Sequence, residues 1–143
     1  MVFGAKIVLL PSFLSACEEV ASPRIFGNAR RGEFYVTEIA TGPSLAPIEI
    51  IDKESAQTWL CEQKQSEQAD LVVFEQSPVL NELLAENDIT ATHHQCSAQG
   101  LVHAWLQMTD AQRKIYESAV QEPIYLRPPN MQKSGKVHPL LSL

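Results

Sequence analysis

The histidines and cysteines of this chain come closest together at His93, His94, Cys96 and His103. His93-x-x-Cys96 has the spacing of a zinc-ligand pair, and His103 could add a third ligand. There is no second close pair, and His103 falls on a predicted helix, so a polar strand-to-helix connection explains the cluster more simply. Cys96 stands just ahead of a helix start, where thiol nucleophiles are activated. With His93 or His103 as base it could serve a cysteine hydrolase. Cys61 falls on an amphipathic helix and is expected in the core. The carboxylates are scattered: Glu18 and Glu19, Glu38, Glu49, Asp52, Asp70, Glu75. A metal-dependent nuclease needs several of them converging from strand ends, yet the first long strand, Arg24 to Ala29, carries Asn28 and no acid. No glycine-rich phosphate loop is present. Arg30 and Arg31 sit at a predicted hairpin tip, where they could meet a phosphate or an acidic partner or simply be solvated.

The elements that would hold these groups follow from apolar runs and their punctuation. Lys6 to Leu10 is a short buried-strand pattern closed by Pro11, and Ser12 is placed to cap a helix carrying Phe13, Leu14, Cys17 and Val20. Pro23 stops that helix. Arg24–Ala29 and Glu33–Ala40 read as two strands joined through Arg30-Arg31-Gly32, a hairpin loop with a bulge in which Gly32 takes a positive φ. Thr41 to Pro47 is a linker and Ile48 to Ile51 a third strand. Asp52 caps a helix with Ala56, Trp59 and Leu60 on its apolar stripe. Leu71 to Phe74 is a buried strand. Ser77 and Pro78 open a helix with Val79, Leu80, Leu83 and Leu84 inward. Ile89 to Thr92 is a weak fifth strand. Ser97 begins a longer helix with Leu101, Val102, Trp105, Leu106 and Met108 buried. Beyond Pro123, only Ile124-Tyr125-Leu126 reads as ordered. Tyr35 and Tyr125 are expected to pack in the core or at a sheet edge.

Hairpin strands must run antiparallel, and strands joined by helices are expected to run parallel. The predicted fold is α/β: a mixed five-stranded sheet with helices on its faces, the ribonuclease-H-like lobe found twice in the actin-like ATPase architecture. With 143 residues, 45% of them hydrophobic, the chain is long enough for one globular core. Its 11 Lys+Arg against 17 Asp+Glu give a net charge of -6, which excludes a chain-wide basic footprint for nucleic acid. No apolar run approaches the roughly 20 residues that span a bilayer. No secretory leader is read at the start, and three widely spaced cysteines make no disulfide framework. A cytoplasmic protein is the expectation.

Three stretches resemble one family. Asn28-Ala29-Arg30-Arg31-Gly32-Glu33-Phe34-Tyr35 is similar to the D-A-R-R-G-E-V-Y hairpin of the TsaB (YeaZ) family. Gly4 to Val8 with Pro11 to Ala16 resembles its G-I-P-V-V…S-S-L-E-A segment, and Pro123-Ile124-Tyr125-Leu126-Arg127 resembles its closing P-V-Y-L-R. Order and spacing fit, and the likeness covers the C-terminal half of a typical member.

The resemblance implies a catalytically inactive relative of the actin-like ATPases, a scaffold that pairs with the catalytic TsaD protein and assists the ATPase TsaE. That complex threonylcarbamoylates adenosine 37 of certain tRNAs, so tRNA would be met indirectly. It implies no cofactor and no catalytic residue. The family's older description as a glycoprotease-like peptidase finds neither a triad nor a metal set here. Arg30, Arg31 and Arg127 are the expected partner contacts. Asn28 stands where the family has Asp. The family's N-terminal lobe, with its D-T-S start and G-P-G-S-F-T-G-L-R stretch, has no counterpart, so residues 1–22 are expected to be a remnant strand and helix, 23–122 the lobe, and 123–143 a proline-rich tail. Phe3, Phe13, Leu14 and Val20 would then be partly exposed and favour self-association. A free-standing homodimeric interaction module is the alternative.

Overall fold

The computed structural model of the protein describes residues 8–66 and 70–118. Its centre is the hairpin. Strand β1 (Pro23–Arg30) runs antiparallel to β2 (Glu33–Ala40), pairing Arg24 with Glu38, Phe26 with Val36 and Gly27 with Tyr35. The register slips between Asn28 and Arg30, a bulge that leaves Arg31 and Gly32 as the loop proper. Arg31 and Gly32 have φ of 54° and 74°, the positive values a primed hairpin turn demands, and bulge-side Arg30 has φ 70°. The glycine at 27 is required sterically: a Cβ there would lie 2.0 Å from the Tyr35 ring across the ladder.

Around this hairpin the sheet grows on both sides. Strands β3 (Ser44–Leu45) and β4 (Glu49–Asp52) pair antiparallel with opposite halves of β2, β5 (Asp70–Val73) lies parallel to β1, and β6 (Thr92–His93) lies parallel to β5. The result is a mixed sheet of six strands. It contains the expected set, with the fifth strand shifted to Thr92–His93, plus the two-residue β3 inside the predicted Thr41–Pro47 linker. The short β3 forms because Pro43 and Gly42 turn the chain back onto the end of β2.

Helices cover both faces. On one face Phe26, Phe34, Val36, Leu71 and Val73 meet Ala56 and Leu60 of α1 (Lys53–Gln65) and Leu80, Leu83 and Leu84 of α2 (Pro78–Glu86). Asp52 caps α1 by accepting from the Ser55 N–H at 2.7 Å, and that bond holds its carboxyl below the usual range. On the other face Ile25, Tyr35 and Ile39 meet Leu14 and Cys17 and, from α3 (Ala98–Gln107) and the residue that ends it, Ala104 and Met108. The alternation of Ile25 with Phe26 sends one side chain to each core.

The structure departs from the sequence expectations at several points. Ser12–Glu18 is a 3₁₀ helix preceded by Pro11 with no side-chain cap, and Leu14 is fully buried instead of partly exposed. Val8–Leu10 form no strand, while Lys6 and Ile7 lie outside the described residues. The face of α3 turned inward carries Gly100 and Ala104, with Leu101, Trp105 and the capping Met108 packed on the core as expected, whereas Val102 is 57% and Leu106 67% exposed. Small residues face inward because α3 presses on the 3₁₀ helix: a Cβ at Gly100 would lie 2.6 Å from the Ser15 carbonyl oxygen. Cys61 is on the solvent side of α1, its thiol 3.7 Å from Asn87 Oδ1. A further helix, α4 (Asp110–Ser118), was not anticipated. Arg113 docks it by donating to the carbonyls of Trp105 and Leu106 at the open end of α3.

Candidate functional site

The hairpin tip and the adjoining ends of β1 and β5 form one polar patch. The parallel pairing of β1 with β5 brings Asn28 beside Glu75, whose Oε1 accepts the Asn28 backbone N–H at 2.9 Å. Asn28 Oδ1 accepts the Arg30 N–H at 2.7 Å, and its amide donates to Ser77 Oγ at 3.5 Å. Asn28 therefore braces the tip from below. Tyr35 closes the floor, with its phenol pushed up to about 12 by burial and then by the Glu75 charge. Arg30 and Arg31, the two expected contact residues within the described chain, are exposed at the tip. Non-glycine residues at such φ cost roughly 1–2 kcal/mol each, so the backbone holds two arginines where Asn or Gly would sit more easily. Arg127 and Tyr125 lie outside the described residues.

The histidine cluster comes apart. His93, Cys96 and His103 are exposed while His94 is buried. Among the described residues no group of three or more His, Cys, Asp or Glu is placed to hold a metal ion. Cys17 is buried, which pushes its thiol up.

His94 makes a different constellation, one the sequence reading missed. Its Nε2 hydrogen-bonds Ser15 Oγ at 3.0 Å, and its Nδ1 lies 3.0 Å from Glu19 Oε1. The order Ser15, His94, Glu19 is that of a nucleophile, a base and an orienting carboxylate. Accessibility decides what it can do. Ser15 is 0% exposed, its hydroxyl donates to the Ser12 carbonyl at 2.9 Å, and α3 packs over its backbone at Gly100. A substrate carbonyl has no approach to that oxygen. The edge of His94 meets the Phe74 ring, and Glu18 alongside accepts from Ser97 Oγ, which also caps α3. These bonds clasp the 3₁₀ helix between the end of β6 and the start of α3. Ser15 and His94 are 79 residues apart in sequence, so no local spacing announces the pair.

Set beside known proteins, the chain matches no family model and no curated protein.

Proposed function

We propose that the chain is a non-catalytic partner protein of the TsaB type, supporting a TsaD-type enzyme in threonylcarbamoylation of tRNA adenosine 37. The observation that carries this reading is the hairpin Asn28–Tyr35. The stretch that resembles the family's motif folds as one unit, with Asn28 bracing the turn and both arginines held outward despite their backbone cost. The topology supports it too. An antiparallel unit of β4, β2 and β1 continues into parallel β5 and β6, with helices on both faces, as a ribonuclease-H-like lobe requires. At the strand ends, where a nuclease of this fold would gather carboxylates, the chain has Asn28, Ser77 and Glu75. Glu75 already accepts a backbone N–H.

Arg30 and Arg31 are the proposed partner contacts, since planar guanidinium forks suit carboxylates on an acidic surface. The test is co-purification of the chain with a TsaD-like protein, with Arg30→Glu/Arg31→Glu as the variant. Complex formation that the variant abolishes supports the reading; failure of the wild-type chain to bind rejects the role.

A second reading is a homodimeric module, favoured by the exposed Val102 and Leu106 on α3. Light scattering separates the two: a mass that doubles with concentration and a chain indifferent to the TsaD-like protein would favour the dimer. No described helix is long and apolar enough to cross a membrane.

A further inference from the structure

A further site lies on the face of the sheet covered by α1. Beyond the edge of Trp59, whose ring stacks on Phe26, a cavity of about 260 Å³ opens between β1, β2 and β4. Val36, Ala46 and Pro47 supply its apolar walls, and three charged side chains reach it: Arg24, Glu38 and Glu49. Arg24 and Glu38 are direct cross-strand partners, where opposite charges ordinarily pair. Here they do not. The Arg24 guanidinium donates to Gln63 Oε1, a neutral acceptor on α1. Among the described residues no hydrogen bond or ion pair reaches the carboxylate of Glu38 or of Glu49. The cavity therefore gathers one cation and two exposed anions with no ion pair among them, beside an indole.

We propose that this cavity binds a basic amino acid of the lysine or arginine class. The ligand carries the complementary set of charges. Its α-carboxylate meets the Arg24 fork, its α-ammonium and side-chain cation meet Glu38 and Glu49, and its methylene stem lies along Trp59, where a cation also gains from the ring. The volume falls just below the 300–1,000 Å³ typical of drug-sized ligands, the size of a single amino acid. A free amino acid and the C-terminal residue of a peptide share the carboxylate and the side-chain cation. The proposal is independent of the TsaB-type reading, since the cavity lies at the opposite end of β1 from Arg30 and Arg31.

The test is an NMR titration of the Trp59 indole N–H with L-lysine and L-arginine at constant ionic strength. Trp105, which packs on the other face of the sheet, is the internal reference. The expected result is a saturable shift at Trp59 with a Kd in the millimolar range, and none at Trp105. Glu38→Gln/Glu49→Gln, both exposed positions whose change leaves the core intact, weakens binding about tenfold or more. Norleucine, which lacks the side-chain cation, binds correspondingly worse. Lysinamide loses affinity in the wild type and is indifferent to Arg24→Gln. A lysine-terminated peptide that matches lysine identifies the chain terminus as the source, and one that does not identifies the free amino acid. A linear, unsaturable response, a norleucine response equal to that of lysine, or undiminished binding by the double variant overturns the proposal.

Discussion

Ser15→Ala tests whether the buried Ser15–His94–Glu19 set is a clasp. The substitution removes one oxygen from a side chain with no accessible surface and leaves the methyl-sized volume filled, so no cavity opens. Two hydrogen bonds disappear. The one to the Ser12 carbonyl belongs to an exposed residue, and water replaces it at little cost. The one to His94 is different, because the ring is 3% exposed and its Nε2 is left without a partner. An unsatisfied buried group costs about 1–3 kcal/mol, so a loss of about 2 kcal/mol is expected. Glu19→Gln should cost less, under about 1 kcal/mol, since the Glu19 side chain keeps 39% of its surface in solvent and the amide can still accept. Urea unfolding followed by tryptophan fluorescence measures both, with the slope unchanged if the native state stays compact. Amide exchange should quicken along Ser12–Glu18 and not along β1. A Ser15→Ala chain within about 0.5 kcal/mol of wild type, or labelling of Ser15 by a fluorophosphonate, would refute the clasp.

Other outcomes follow from the same geometry. Arg31→Asn should stabilise the chain by about 1 kcal/mol, because Asn tolerates φ 54° better, while binding of a TsaD-like protein falls; thermal unfolding and a pull-down read the two effects. Gly100→Ala should destabilise by more than about 2 kcal/mol in chemical unfolding, since the added methyl meets the Ser15 carbonyl and backbone cannot yield as a flexible side chain would. Tyr35 has a folded value of about 12 against an ordinary 10. Its contribution is complete below pH 10 and is lost as pH rises toward 12, because the unfolded chain sheds that proton first. The loss is about 3 kcal/mol across that window, absent in Tyr35→Phe and visible as a delayed tyrosinate absorbance.

Much of the fold was legible because its signals are local. The Arg30-Arg31-Gly32 turn, the Asp52 cap, the Ser77-Pro78 helix start and the branched run Leu71–Val73 each specify their element through neighbours in sequence. What escaped depended on partners far along the chain. Bulky Val102 and Leu106 at helical spacing suggested the buried face of α3, whereas the true contact uses Gly100 and Ala104 so that the 3₁₀ helix can approach closely. Leu14 was expected to be partly exposed for want of a neighbouring lobe, whereas its cover, α3, comes from this chain and lies more than eighty residues away in the sequence. Helix α4, with no fully buried residue, is held by Arg113 capping the carbonyls of its predecessor and by Tyr116 packing against the core, and one aromatic makes no apolar stripe to read. At the site, Arg30, Arg31 and Asn28 were visible as a motif. The Glu75 brace and the His94 clasp were not, since one comes from strand adjacency and the other from the docking of the 3₁₀ helix at the end of β6.

The central claim is that this chain serves a TsaD-type enzyme as a partner through the Arg30–Arg31 tip. The most direct measurement is a binding titration of the chain against a TsaD-like protein, with Arg30→Glu/Arg31→Glu run in parallel and its fold checked by unfolding. The account predicts a saturable complex that the double variant weakens about tenfold or more at unchanged stability. No complex with the wild-type chain, or equal affinity in the variant, would contradict it.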